Sequence, residues 1–252
     1  MEPLLEVKDL TKIFSRGNQG KYTAVDHVSF RINPGETLGL VGESGCGKST
    51  LARMILGILP PTGGTVCLKG KDITNAGGKE WREVYRRMQM VFQFPTDSFD
   101  PRKTIGYGIG ESLLNRGVPK PERRERIAEL LGKCGVPPEY AGRYPHEISG
   151  GQCQRAAIAR ALAIQPELLI CDEATSALDV TVQRKIMELL QVLKQENGLS
   201  FLFICHDLAL VQFFCDRVLV MHDGKIAEEG PTEQIIRSPG SEYTRRLVEA
   251  AL

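Results

Sequence analysis

Nine residues constrain this chain more than any others: Gly42-Glu43-Ser44-Gly45-Cys46-Gly47-Lys48-Ser49-Thr50. They fit the spacing G-x-x-x-x-G-K-[ST] of a phosphate-binding loop. The stretch from Glu36 to Val41, with Leu38, Leu40 and Val41, predicts a buried strand before it. Leu51 to Leu56, with Ala52, Met54 and Ile55, predicts a helix after it that ends at Gly57. Strand, glycine loop and helix, in that order, distinguish a phosphate site from a surface turn that happens to hold a lysine. Gly42, Gly45 and Gly47 let the backbone curl until successive N–H groups point inward at phosphate oxygens. The helix N-terminus adds free N–H groups and a dipole that favour an anion. Lys48 is expected to reach the β- and γ-phosphates, and the Ser49 hydroxyl to ligate Mg²⁺.

The rest of the chain supplies the frame for that loop. Its 252 residues suffice for a sizeable core and one or two lobes. Charge is nearly balanced, with 32 Lys+Arg against 31 Asp+Glu, which speaks against nucleic-acid binding through bulk charge. Seven cysteines are scattered without a C-x-x-C pair, several in apolar runs; reduced, buried thiols of a cytosolic protein are expected. No apolar run is long enough to span a bilayer, and the N-terminus does not read as a signal peptide. Action at a membrane would therefore go through a partner.

In chain order, 4–10 and 23–32 read as strands, joined by a polar turn from Ser15 to Gly20. Phe14 precedes that turn. Its ring could stack on a nucleotide base or pack in the core, and the residue alone favours packing; Tyr22 is the competing aromatic. A turn at Pro60-Pro61-Thr62-Gly63-Gly64 leads to a short strand, Thr65 to Leu68. A basic helical stretch, Trp81 to Arg87, leads into a strand from Met88 to Phe92, closed by Gln93. Phe94 to Pro101 holds two prolines and predicts a loop at a joint between lobes.

From about Thr104 to Leu162 the pattern is helical, with no strand runs. This insertion ends in Ile148-Ser149-Gly150-Gly151-Gln152, where Ser149 predicts the N-cap of a helix through Leu162. His146 reads as structural. Strands then resume. Leu168 to Cys171 is closed by Asp172-Glu173, an amphipathic helix runs from Val182 to Leu193, and Phe201 to Cys205 is closed by His206-Asp207. Asp223-Gly224 predicts a hairpin between Val218–Met221 and Lys225–Ala227. Alternating strands and helices imply an α/β fold with a mainly parallel sheet. Ligands of such sheets gather at the carboxyl ends of the strands. The phosphate loop, Gln93, Asp172-Glu173 and His206 all fall at strand ends, which points to one site.

Taken together, 42–50, Gln93, ISGGQ at 148–152, LLICDEATSALD at 168–179 and His206 resemble, in order and over nearly the whole chain, the ATP-binding subunits of ABC transporters. The resemblance implies a P-loop NTPase core of RecA-like type, an N-terminal antiparallel β subdomain and a helical subdomain insertion. The implied division is 1–93 with 166–230 for the core, 94–165 for the helical part with the signature, and 231–252 for a tail. It implies ATP and Mg²⁺ as ligands. Phe14 takes the place of the adenine-stacking aromatic, reversing the packing reading above. Asp172 helps Ser49 hold Mg²⁺, Glu173 is the general base or water-positioner, Gln93 senses metal and water, and His206 contacts the γ-phosphate. Ser149, Gly150, Gly151 and Gln152 would cover the ATP of a second subunit, with Asp179 in the loop Ser176-Ala177-Leu178-Asp179 that communicates across the dimer.

The tail, Glu229 to Ile236 and Ser241 to Val248, resembles importer ATPases for dipeptides, oligopeptides and nickel, as does the run from Ser98 through Thr104. Those imply two permease subunits, a second and paralogous ATPase subunit (or a homodimer), and an extracytoplasmic binding protein, at the cytoplasmic face of the membrane. Phe94, Phe99 and Asp100 depart from the common pattern where a permease would touch; Cys153, Cys171 and Cys205 depart without removing a catalytic group. No cysteine cluster follows the tail, so an iron–sulfur appendage is not expected. A DNA-repair or translation ATPase would carry coiled-coil insertions or tandem cassettes, which this sequence lacks. A non-hydrolysing regulatory module fits poorly with intact Lys48, Asp172, Glu173 and His206.

Overall fold

The computed structural model describes residues 2–15, 20–94, 98–174 and 179–251. Two sheets build the molecule. Strands β1 (Leu5–Ser15), β2 (Lys21–Ile32), β4 (Gly63–Leu68) and β5 (Lys71–Asp72) form an antiparallel sheet in the order β2-β1-β4-β5. The second sheet takes β3 (Thr37–Val41), β6 (Met88–Val91), β7 (Leu168–Asp172), β8 (Ser200–Ile204), β9 (Arg217–His222) and β10 (Lys225–Pro231). Its order is β10-β9-β3-β8-β7-β6, and every pair is parallel except the β9–β10 hairpin. The hairpin turns at Asp223 and Gly224, both at positive φ (45° and 79°), as a tight Asp-Gly turn demands.

β3, β7 and β8 are fully buried because both faces of this sheet are covered. Alternate residues of β8 divide between two cores. Phe201 and Phe203 pack with the helices of one face, and Leu202 and Ile204 with the antiparallel sheet and helix α1 (Lys48–Ile55) on the other. Phe214 seals the first core, edge-on to Phe201 and Phe203 with ring centres 5.0 and 5.4 Å apart.

After helix α2 (Gly78–Arg87) and β6, the chain runs through α3 (Ile105–Asn115), α4 (Lys120–Lys133) and α5 (Gly150–Leu162) before returning as β7, with no strand among the described residues between. Ile127 and Leu131 are buried and Leu130 is half-buried, forming the apolar side of the otherwise charged α4. Helix α6 (Val180–Asn197) stops at Gly198 in the left-handed region.

Three helices go beyond the sequence reading: α7 (Leu208–Phe214), α8 (Thr232–Arg237) and α9 (Glu242–Ala251). The first is short and nearly all apolar, so it carries no 3.6-residue alternation. Asp207 marks its start by accepting from the N–H groups of Ala209 and Leu210. The other two replace what was expected only as a tail. No helix among the described residues is long and apolar enough to cross a membrane.

Candidate nucleotide site

The loop between β3 and α1 is shaped by its glycines. Gly42, Gly45 and Gly47 have φ of 150°, 83° and 113°. A Cβ on Gly42 would lie 2.1 Å from the Met221 carbonyl oxygen, and one on Gly47 2.3 Å from that of Ala24. These two positions therefore require glycine for space as well as conformation. Beside Gly45 there is open space, so the middle of the loop faces outward. Glu43 and Ser44 are exposed there, Cys46 is buried, and Thr50 is half-buried. Lys48, only 5 % exposed, donates from Nζ to the carbonyls of Gly42 (2.7 Å) and Glu43 (2.8 Å). A buried ammonium with two carbonyl partners is a charge held ready at the loop's centre.

Strand order gathers the other candidates. The neighbours β3, β8 and β7 end, respectively, in the loop, in Cys205-His206 and in Asp172-Glu173, and Gln93 lies two residues beyond the end of β6. Asp172 accepts a 3.0 Å hydrogen bond from Ser49 Oγ. Burial pushes the Asp172 carboxyl above its ordinary value; the Ser49 bond opposes this, and the neighbouring Glu173 charge adds to it. Glu173 accepts from Gln93 Nε2 at 2.8 Å, and its other carboxylate oxygen lies 4.0 Å from His206 Nδ1. Its backbone sits at φ 46°, a conformation that costs free energy for any residue with a Cβ, and its N–H is anchored on the Ile204 carbonyl at 3.0 Å. That unusual turn swings the carboxylate off the end of β7, between Gln93 and His206.

Phe14, the last residue but one of β1, pairs with Tyr22, and both residues are well exposed, at 36 and 40 %. The packing reading of Phe14 is therefore replaced: the ring lies outside both cores, with Lys12 Nζ 5.2 Å from its centre.

Ser149 caps α5 as predicted. Its Oγ accepts from the Gln152 N–H at 3.3 Å, and the Gln152 side chain accepts from the Ser149 N–H at 2.9 Å. Ser149 and Gly150 are exposed. At Gly151 a Cβ would meet Val182 at 2.5 Å, so this glycine lets α5 lie close on α6. Asp179 caps α6 through Val182 N–H at 3.0 Å. No hydrogen bond among the described residues joins 149–152 to 42–50. The rest of the communicating loop, Ser176 to Leu178, and residues 95–97 of the expected joint lie outside the described residues.

The cysteines are all free thiols, six buried and Cys67 half-buried. Burial pushes Cys134 and Cys171 up to about 12, and Cys153 and Cys205 to about 11, so they stay protonated at neutral pH. One contact on the loop is announced by no motif: the Glu43 N–H donates to Tyr243 Oη of α9 at 3.2 Å. Its only signal in the sequence is a lone tyrosine in the tail.

Residues 25–176 match the model of the ABC transporter family. The chain is 46 % identical over 258 residues to the oligopeptide transport ATP-binding protein OppF of Salmonella typhimurium, covering 98 % of this chain and 77 % of that one. It is 43 % identical over 256 residues to the di/tripeptide transport ATP-binding protein DppF of Pseudomonas aeruginosa, covering 99 % and 79 %. Among solved structures, the dimeric post-hydrolysis state of the ATP-binding cassette MJ0796 with ADP and Pi superposes with a TM-score of 0.82 at 30 % identity, covering 90 % of this chain and 98 % of that one. The strand-end cluster, the phosphate loop and the extent of these matches agree: the chain belongs to the ABC transporter family, as an ATP-binding, ATP-hydrolysing subunit.

Proposed function

We propose that this subunit powers a membrane importer of di- and oligopeptides by hydrolysing ATP at the ends of β3, β6, β7 and β8. The observation that carries the reading is the pairing of Ser49 with Asp172, beside Glu173 set between Gln93 and His206. Peptide, rather than nickel, is favoured by the names of OppF and DppF.

The loop amides and Lys48 bind and orient the triphosphate. Phe14 offers an exposed face for the adenine. Ser49 Oγ and Asp172 Oδ1 are hard oxygen donors 3.0 Å apart, which suits Mg²⁺ held by few protein ligands plus phosphate and water. Bound there, Mg²⁺ would neutralise charge on the β- and γ-phosphate oxygens. Glu173 aligns a water against the γ-phosphorus and takes its proton, while the bond from that phosphorus to the β–γ bridging oxygen breaks. Gln93 orients the Glu173 carboxylate, and His206 contacts the departing phosphoryl oxygens. Ser149 and Gly150 present an exposed helix N-terminus, suited to the γ-phosphate of ATP bound to a second subunit.

That second subunit is a paralogous ATPase, or a second copy when the chain is alone. ATP favours the closed pair, hydrolysis releases it, and the segment after Gln93 passes the motion to two permease subunits at the cytoplasmic face, supplied by an external binding protein.

The test is reconstitution with permeases, binding protein and partner ATPase in liposomes. ATP-dependent accumulation of a labelled tripeptide is expected, abolished by Lys48→Ala together with nucleotide binding. Accumulation of nickel but not peptide would overturn the cargo; undiminished ATP binding by Lys48→Ala would overturn the site.

A further inference from the structure

A glycine loop binds an anion well only if its curl is fixed before the anion arrives; otherwise binding must also order the loop. Three anchors fix this one. Inside it, Lys48 Nζ draws in the Gly42 and Glu43 carbonyls. On the exit arm, the Gly224 N–H of the β9–β10 turn donates to the Cys46 carbonyl at 3.1 Å. On the entry arm, the Glu43 N–H donates to Tyr243 Oη at 3.2 Å, two hundred residues away in sequence. The first anchor lies within the loop; the other two come from the end of the chain.

Tyr243 is itself held firmly. It is 9 % exposed, and its ring stacks on His222 with centres 3.9 Å apart and planes 25° apart. His222 ends β9, directly before the turn that supplies Gly224, so the two outer anchors share one support. Helix α9 is seated on β10 by Glu228, whose carboxylate accepts from the N–H groups of Gly240 (2.7 Å) and Ser241 (2.9 Å). Ser241 Oγ accepts from the N–H of Thr244, which is fully buried. A residue needed only to fill this space would not need a hydroxyl. The hydroxyl here reaches a backbone amide of the phosphate loop.

We propose that Tyr243 is a positioning residue for the phosphate loop and that α9 is thereby a working part of nucleotide binding; the inference rests on residues 42–50 holding the triphosphate. Without the hydroxyl, the Glu43 peptide loses its outer anchor while Lys48 still pulls on its carbonyl. The entry arm is then free to turn, and the inward amides are no longer fixed in advance.

Tyr243→Phe keeps the stack on His222 and removes only the hydrogen bond. In the assembled complex, the Kd and KM for Mg-ATP are expected to rise about three- to tenfold, the scale of one lost hydrogen bond. The kcat at saturation stays within about twofold, because no group touching the reacting atoms has changed. Without nucleotide, amide exchange across 42–46 is expected to quicken. Glu228→Ala, which unseats α9 without touching the loop, should shift Kd and exchange in the same direction. If Tyr243→Phe lowers the melting temperature but leaves Kd and loop exchange as in the unaltered protein, Tyr243 is only packing and the inference is overturned. Lys48→Ala separates the two readings. Should it lose ATP while Tyr243→Phe binds normally, Tyr243 alone is wrongly assigned; should it bind ATP normally, both readings fall.

Discussion

The strand-end cluster and the opening of α5 are both suited to phosphate, yet they are built in opposite ways. The first is closed within the chain: Lys48 holds two loop carbonyls, Ser49 meets Asp172, and Gln93 meets Glu173. The second is turned outward, with Ser149 and Gly150 exposed and its polar side chains spent on capping their own helix. One region has its chemistry assembled within the chain; the other has only direction, an outward helix end seated closely on α6 at Gly151. Under the function proposed above, a cassette built this way binds nucleotide alone and completes its site with a second subunit.

Altering Glu173 should break the first region most completely. Glu173→Gln keeps the shape and a partner for Gln93 but removes the base. Turnover is expected to fall about 10²- to 10⁴-fold, with ATP still bound and the closed pair accumulating in size-exclusion chromatography. Near-normal phosphate release would show that the water is activated elsewhere. The second region should fail differently. Ser149→Ala removes the α5 cap and its hydroxyl, at a cost of about 1 kcal/mol in helix stability. We expect turnover to drop about tenfold, since an exposed contact made only across the pair is lost. ATP affinity of the separate subunit should not change. A matching loss of affinity in the separate subunit would mean that the two regions act within one chain, and the contrast drawn above would be void.

Gly151 tests whether the outward region is truly rigid. Its missing Cβ lets α5 approach α6 at Val182. Gly151→Ala should force that side chain aside and cost about 1–3 kcal/mol of stability, as overpacking does. Denaturant unfolding of the nucleotide-free protein measures it. No change would mean that the α5–α6 contact gives way easily and that the signature is aimed less firmly than the packing implies.

The two regions were also unequally legible in the sequence. The phosphate loop, Gln93, Asp172-Glu173 and His206 each close a short apolar run, so the strand-end rule places them at one edge from the sequence alone, though not the contacts among them. The cap at Ser149 was legible for a local reason: Ser-x-x-Gln before an apolar helix is nearly self-sufficient. What the sequence concealed are contacts that depend on strand order. The placing of Gln93 against Glu173 needs β6 beside β7. The Tyr243 contact needs α9 folded back over β10 and against the loop, and no periodicity encodes that. The turn at Glu173, at φ 46°, is invisible for another reason: its conformation is imposed by the Ile204 carbonyl, against the residue's own preference. Phe14 illustrates the converse. An aromatic beside a strand suggests packing, but Ile13, Phe14 and Ser15 are exposed in succession, so neither face of this end of β1 is covered.

The smallest effect we expect is a gain, and it distinguishes the regions by what they cost the fold. Asp172 is 6 % exposed, and burial raises its carboxyl's folded-state value above that of the unfolded chain. A carboxyl shifted this way binds its proton more tightly when folded. Its favourable contribution is complete below the ordinary carboxylate range and is lost as pH rises through the raised folded value, above which the buried charge is a penalty. Asn can still accept from Ser49 Oγ and carries no charge to bury. Asp172→Asn should therefore melt higher at pH 7, by about 2–4 °C for each ~1 kcal/mol relieved, and the advantage should shrink as pH falls through the carboxyl's raised value and the native side chain takes up its proton. Mg-ATP should reverse the order at pH 7, because the charge that is a burden without the metal becomes a ligand with it. The exposed caps Ser149 and Asp179 carry no such burial cost, and removing either side chain should only lower stability. A variant that melts lower at pH 7 without nucleotide would mean that the Ser49 hydrogen bond and the nearby Arg53 and Lys48 charges, which oppose the rise of the Asp172 carboxyl, already compensate its burial, and the difference in cost between the two regions would vanish.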